Sequence, residues 1–233
     1  MKNFFVILVC ISISSSFAQK PVGVWKKIDI LKNGKIIEHV LIFTENYHVN
    51  TTYNLTTGEF LNTSGGSWKS LDNTITESIE FNTHDSTLVG NDLNYKFEIN
   101  GAKLKVNDKV FSKIIDFDDD TLEGAWLISG RKSDGKFSIR DINKPRKTMK
   151  ILYDNHFQWI AYSTKTKSVI ASGGGTYTAK NGKYTENIKF FSRNKTKTGM
   201  SLSFDYELIH NKWHHKGFSS KGKPFYEIWT LRD

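Results

Sequence analysis

The chain has 233 residues, a formal net charge of +9 and a single cysteine, Cys10, close to the N-terminus. If the N-terminal segment that contains Cys10 is a cleaved leader, as argued below, the mature chain has no cysteine. This excludes a fold held by disulfides and requires a hydrophobic core that is stable without them. The roughly 214 residues after the leader are enough for one large domain or two small ones.

The first 18 residues have the pattern of a secretory signal peptide. Lys2 supplies the positive charge, Phe4 to Ile13 form a short apolar run, and Ser14 to Ala18 form a small-residue segment before Gln19. The run is too short for a mature membrane helix, and no second run is long enough to be one. We therefore predict an exported protein, periplasmic or secreted, without a transmembrane segment.

The positive charge is concentrated in the second half of the chain. From residue 20 to 120 there are 11 Lys against 15 acidic residues, and from 121 onwards 21 Lys and Arg against 9 acidic residues. All five arginines lie in the second half. This pattern fits either an anionic partner or a solvated lysine-rich surface, and the opposite charges of the halves could drive docking between them. No nucleic-acid-binding motif is present, so we predict no nucleic-acid partner.

The chain contains a tandem duplication with an offset of 109 residues. Ile42 to Phe81 align without a gap with Ile151 to Phe190, and ten of the forty pairs are identical. Near the end the first copy is about five residues shorter, which aligns Ile114 with Ile228. A repeat of this length is a domain. The predicted organisation is a signal peptide at 1–18, a first domain at 20–115, an acidic linker at 116–120 and a second domain at 121–233.

Each copy has the periodicity of β-strands, with turn signals such as Asn181-Gly182 every 8 to 12 residues and no sustained helical period. The second copy divides into nine predicted strands, at 123–131, 136–142, 147–154, 156–163, 168–178, 183–192, 200–210, 212–218 and 225–232. Consecutive antiparallel strands of this length predict an all-β fold of two small up-and-down barrels of about eight strands each. A two-sheet sandwich is the alternative.

Four motifs of the second copy occur in a fixed order. They are Leu122-x-Gly124-x-Trp126, His156-Phe157-x-Trp159, Gly173-Gly174-Gly175-x-Tyr177 followed by Tyr184-Thr185-Glu186, and Glu227-x-Trp229. In these motifs the second copy resembles the lipocalin-like (calycin-type) domains of secreted Bacteroidetes-type proteins of uncharacterised function. The resemblance implies a calycin-type barrel and a small apolar ligand, but no reaction. The first copy keeps Gly23-x-Trp25 but has Asn50 in place of Trp159, so it looks like a diverged member.

Glycine, tryptophan and glutamate positions shared by the copies form the structural signature. The paired glycines are predicted to form a bend or bulge in the barrel wall, and Trp126 a plug at the bottom of its barrel. The signature residues are Gly23, Trp25, Gly65, Gly66 and Glu77 in the first copy, and Gly124, Trp126, Gly174 and Gly175 in the second.

Glu186 is the most informative polar residue, because it shares a strand face with Tyr184 and Ile188 and would point into the barrel. A carboxylate among apolar groups must be hydrogen-bonded or paired. It could orient a ligand or act as an acid or base. Alternatively, it ties strands together through an Arg, Lys, Tyr or Trp donor.

The aromatic residues of the second copy either fill its barrel or line a pocket. The second reading predicts a site inside barrel 2 for a small apolar or amphiphilic ligand, with an anionic group as an option. Its candidate residues are Glu186, Trp159, Tyr177, Tyr184, Arg140, Trp213 and Trp229.

We predict no metal, no cofactor and no catalytic residue. His214 and His215 are adjacent on a strand and face opposite ways, while His210 lies in a predicted turn, so they cannot share one ion. No nucleophile-elbow or phosphate-loop motif is present. Three hypotheses remain open: a binding protein, a structural protein with filled barrels, and an enzyme that uses Glu186 as acid or base.

Overall fold

The structure is a computed structural model that describes residues 19–115, 122–133, 135–218 and 222–232. The predicted signal peptide and the predicted acidic linker at 116–120 lie outside the described residues. The described chain is all-β, apart from the short 3-10 helices Ser86–Leu88 and Lys195–Lys197.

Barrel 1 is formed by eight antiparallel strands in sequence order. Strand β1 pairs with β2 on one side and with β8 on the other, which closes the sheet. The strands are β1 (Gly23–Ile30), β2 (Ile36–Phe43), β3 (Tyr47–Asn54), β4 (Phe60–Leu71), β5 (Thr74–Asn82), β6 (Asp92–Asn100), β7 (Lys103–Val106) and β8 (Lys109–Ile114).

Barrel 2 repeats this order, and its first strand β9 pairs with its last strand β17 to close the barrel. The extra strand β10 forms a hairpin on β9. The strands are β9 (Gly124–Ser133), β10 (Lys136–Ile139), β11 (Arg146–Tyr153), β12 (His156–Ser163), β13 (Ser168–Lys180), β14 (Lys183–Phe191), β15 (Ser201–Ile209), β16 (Lys212–Phe218) and β17 (Pro224–Leu231). The prediction of two tandem up-and-down barrels is confirmed, and the sandwich alternative is wrong.

The glycine pairs of the two copies form β-bulges. The register of β4 against β5 shifts between Gly65 and Gly66, and that of β13 against β14 shifts between Gly174 and Gly175. A Cβ on Gly175 would lie 2.0 Å from the Asn187 carbonyl oxygen, so a side chain there would collide with backbone. The bulge bends the long strand around the barrel, and only glycine allows the neighbouring strand to approach this closely.

The two barrels pack against each other through the outward faces of their strands. Tyr53 stacks on Phe190 with ring centroids 5.0 Å apart, and Phe81 packs on Tyr162 at 4.8 Å. Since Tyr53 and Phe81 correspond to Tyr162 and Phe190 in the duplication, the two contacts are related by an approximate two-fold axis, as in an isologous dimer.

Polar groups fix the register of this apolar interface. Arg232 of barrel 2 donates from Nη2 to Glu80 Oε1 of barrel 1 at 2.7 Å, and from Nη1 to the Tyr162 hydroxyl of its own barrel at 3.2 Å. Gln158 Nε2 donates to Thr63 Oγ1 at 2.9 Å. The described part of the interface is thus mainly apolar with one ion pair across it, rather than a broad charge-driven contact.

The alignment of the last strands differs from the one predicted from sequence. Leu104 pairs with Phe111 in barrel 1, and its counterpart Trp213 pairs with Trp229 in barrel 2. Phe111 therefore corresponds to Trp229, and the prediction that Ile114 matches Ile228 is wrong. Sequence similarity could not place the shorter β7–β8 hairpin, because only the cross-strand pairing fixes its register.

Within the described ranges, no helix has the length and apolar character needed to cross a membrane.

Candidate ligand-binding site

The interior of barrel 2 holds a buried ion pair inside a cage of aromatic rings. Lys150 Nζ lies 2.7 Å from Glu186 Oε1, and both side chains are almost fully buried. The same Nζ lies 4.8 Å from the ring centroid of Tyr184, 4.9 Å from Trp213 and 5.3 Å from Trp229. Glu186 is thus bound by a lysine donor, which is one of the two alternatives that the sequence left open.

Four of the predicted ligand-site aromatics meet around this pair. Tyr184 packs on Tyr177 at 5.6 Å and on Trp213 at 5.0 Å, and Trp213 packs on Trp229 at 5.8 Å between centroids. Each of the four is at most 2% exposed. These side chains fill the middle of barrel 2 with one another.

The two remaining predicted residues lie elsewhere. Trp159 lies at the end of the interior, against Phe191 and directly over Gly173. Arg140 lies outside the barrel, exposed to solvent, with Nη1 3.4 Å from Thr148 Oγ1. The structure does not bring Arg140 to the other six residues.

A second polar pair in barrel 2 consists of the buried His215 and the half-buried Glu227. Nδ1 of His215 lies 3.8 Å from Oε2 of Glu227. Burial lowers the pKa of His215 to about 4, and the charge of Lys150 adds to that effect. His214 contacts the Tyr226 hydroxyl at 2.6 Å, which confirms the prediction that the two histidines point to opposite faces of the strand.

Barrel 1 differs, because it contains a cavity of about 280 Å³ that opens at one end of the barrel. The apolar lining comes from both sides of the barrel and includes Phe43, Ile75 and Phe111. The polar lining includes His48 and Glu77. The lining residues are His39, Leu41, Phe43, His48, Asn50, Ser64, Ile75, Glu77, Tyr95, Val106, Asn107, Asp108, Lys109 and Phe111.

Glu77 presents a buried carboxylate to this cavity. It is 2% exposed, and its Oε1 lies 3.0 Å from Nδ1 of His48. Within the described part of the chain these two atoms make no aligned hydrogen bond. Burial and the neighbouring Glu77 carboxylate raise the pKa of Tyr95 to about 12. The cavity therefore has a carboxylate, an imidazole and a phenol within one small space.

The mouth of barrel 1 is also polar. His39 is held between Asp29 Oδ2 and Thr52 Oγ1, each at 3.0 Å, and burial lowers its pKa. Lys27 binds the same Asp29 carboxylate. Among the described residues, no group of three or more His, Cys, Asp or Glu side chains is arranged to hold a metal ion.

Barrel 1 is emptier than barrel 2 because smaller side chains stand at matching positions. Asn50 replaces Trp159, Ile75 replaces Tyr184 and Phe111 replaces Trp229, and each of the three lines the cavity. Leu104 replaces Trp213 behind the cavity wall. A barrel of eight strands has room for either filling side chains or one small ligand, and the two copies represent these two cases.

Comparison with protein families gives a match for the second barrel. Residues 121–231 match a family described as a domain of unknown function, DUF4488. A comparison with functionally curated proteins finds no match. The DUF4488 match coincides with the filled barrel and leaves its function open.

Sequence reasoning missed two residues of these sites. Lys150 pairs with Glu186 across the barrel of the DUF4488 match, and His48 pairs with Glu77 in barrel 1. A signal was present for Lys150, which interrupts the apolar run from Met149 to Leu152, whereas His48 lies on a polar strand face and gives no such signal. In the alignment of the copies, Lys150 stands opposite Leu41 and His48 opposite Phe157. The partner of the carboxylate therefore lies on β11 in barrel 2 and on β3 in barrel 1.

Proposed function

We propose that this protein binds one small, partly apolar ligand in the cavity of barrel 1. The observation that carries the proposal is the 280 Å³ cavity with the buried Glu77 carboxylate facing into it. This volume lies just below the range of about 300–1,000 Å³ for ligand pockets, which limits the ligand to a small molecule. The apolar wall suits a single ring or a short branched chain, and Glu77, His48 and Tyr95 fix its polar group.

Barrel 2, on this proposal, is a structural partner without a ligand of its own. Its interior positions are occupied by aromatic rings around Lys150 and Glu186, and its outer face supports barrel 1. We expected the ligand in barrel 2 from sequence. The contacts of Tyr177, Trp213 and Trp229 favour barrel 1 instead.

The lipocalin-like character and the export of the protein are further parts of this proposal. The closed order of eight antiparallel strands in each copy and a cavity that opens at one barrel end support the first. The N-terminal pattern supports the second. Mass spectrometry of the exported protein should find Gln19 as the first residue, and retention of an uncleaved chain in the cytoplasm would contradict export.

The test of the binding function is to fill the cavity with the residues of the other barrel. Asn50→Trp with Ser64→Gly reproduces the Trp159–Gly173 pair that occupies this level of barrel 2. Asn94→Trp places the same side chain on the exposed outside of β6 and is the matched control.

A ligand-observed NMR screen of small ring compounds should give hits for the wild-type protein and the control variant. The same hits should lose binding to the filled variant. Hits that persist in the filled variant, or a complete absence of hits with the wild-type protein, would contradict the proposal.

A further inference from the structure

The two barrels carry the same buried carboxylate, but only one of them carries a lysine beside it. Glu77 and Glu186 occupy equivalent positions on β5 and β14. The position of Lys150 on β11 corresponds to Leu41 on β2, since Lys150 pairs with Trp159 and Leu41 pairs with Asn50. The duplication thus provides a direct comparison of one site with and without an internal ammonium group.

In barrel 2 the ammonium group is fully accommodated. Nζ of Lys150 is bound by the carboxylate at 2.7 Å and surrounded by the faces of aromatic rings. A buried carboxylate is stable only when paired and hydrogen-bonded, and aromatic faces add attraction for a desolvated cation. The interior of barrel 2 therefore binds an alkylammonium group, which is the side chain of its own Lys150.

In barrel 1 the same carboxylate faces the cavity without that group. Leu41 lines the cavity at the position of Lys150, and Glu77 Oε1 lies 3.0 Å from His48 Nδ1. An imidazole is not a permanent cation as an alkylammonium group is. The aromatic rings of Tyr95 and Phe111 remain in the wall. Tyr95 corresponds to Phe204, whose ring centroid lies 6.0 Å from Lys150 Nζ, and Phe111 corresponds to Trp229 of the cage.

We propose that the ligand of barrel 1 is a small organic amine, whose ammonium group takes beside Glu77 the place that Lys150 Nζ takes beside Glu186. This rests on the proposed binding function of barrel 1. The apolar part of the amine lies against Phe43, Ile75 and Phe111 in the space left by the smaller side chains. The ammonium group donates hydrogen bonds to the carboxylate, whose negative charge is thereby compensated.

The test uses three probes with one ring and different head groups: 2-phenylethylamine, 2-phenylethanol and phenylacetate. Isothermal titration of the full chain should give one site for the amine, with an affinity at least about ten-fold higher than for the alcohol. Phenylacetate should be the weakest of the three, because its carboxylate would face Glu77.

The decisive variant is Leu41→Lys, which gives barrel 1 the internal cation of barrel 2. It should form an ion pair with Glu77 and abolish binding of the amine, while the matched variant Leu41→Met should retain it. Glu77→Gln provides a second measurement that does not depend on Leu41→Lys folding. It should weaken the amine about ten-fold or more and leave the alcohol nearly unchanged.

Equal binding of the amine and the alcohol, or an undiminished affinity of Glu77→Gln for the amine, would overturn the proposal. Failure of the amine inference remains distinguishable from failure of the binding function. If neutral or anionic compounds bind to the wild-type protein and lose binding to the variant Asn50→Trp with Ser64→Gly, the cavity is a binding site for a different class of ligand. If no small ring compound binds, both are wrong.

Discussion

Removal of Lys150 should destabilise barrel 2 strongly, because it leaves Glu186 buried without a partner. Both side chains of the pair are about 7% exposed, and Nζ also contacts three aromatic rings. Breaking a buried ion pair on one side costs about 3–5 kcal/mol. Lys150→Met keeps the aliphatic volume and should lower the free energy of unfolding by about that amount.

Urea denaturation followed by tryptophan fluorescence measures this loss. With a slope of about 1–3 kcal/mol per molar urea, a loss of about 3–5 kcal/mol should lower the midpoint by about 1–5 M. The matched control is Lys183→Met, which removes an ion pair with Asp205 on the exposed surface of the same barrel. An exposed pair contributes about 0–1 kcal/mol, so the control should change the midpoint little.

The double variant Lys150→Met with Glu186→Leu decides whether pairing is the cause. Replacement of both charges by apolar groups should recover most of the lost stability, since a buried pair and its apolar replacement are often similar in stability. A loss below about 1 kcal/mol for Lys150→Met, or additive losses in the double variant, would refute the reasoning.

Three further predictions concern other parts of the molecule. Burial lowers the pKa of His215 to about 4 from its ordinary value of 6.5, so the unfolded state binds more protons than the folded state between these pH values. The free energy of unfolding therefore falls as the pH falls from 6.5 to 4, by about 3 kcal/mol in total. His215→Gln should flatten this part of a stability–pH curve, and an unchanged slope would mean that another group causes the acid sensitivity. Arg232→Met removes the only described ion pair between the barrels and should lower the free energy of unfolding by about 2 kcal/mol or more, and with it the unfolding temperature. The double variant Arg232→Met with Glu80→Leu should recover part of this stability. Calorimetry that shows no recovery would contradict the pairing. Gly175→Ala should reduce stability and soluble yield, because the added Cβ would lie 2.0 Å from the Asn187 carbonyl oxygen; a variant as stable as the wild type would show that the bulge relaxes freely.

Local signals in the sequence predicted the fold well. All nine strands predicted for the second copy are present, and the turn at Asn181-Gly182 has positive φ at both residues, 52° and 73°. The glycine pairs predicted a bulge, and the register shifts of β4 and β13 are found at those residues. These features depend on a few neighbouring residues, which is why one sequence was enough.

The partners of the two buried carboxylates could not be predicted in the same way. Lys150 and Glu186 are 36 residues apart and meet across the barrel interior, and His48 and Glu77 meet likewise. Alternation shows that a residue faces inwards but not which residue it meets. The interface between the barrels was hidden for a related reason. Strands β2, β3, β11 and β12 are buried on both faces, one in a barrel interior and the other against the partner barrel, so alternation alone does not separate core from contact surface.

The most direct test of the account is a crystal structure of the protein soaked with 2-phenylethylamine. We predict ligand density in the cavity of barrel 1, with the amine nitrogen within hydrogen-bonding distance of the Glu77 carboxylate. The interior of barrel 2 should keep Lys150 on Glu186, with no ligand among its aromatic rings. Ligand density inside barrel 2, with the cavity of barrel 1 holding only water, would contradict the central claim.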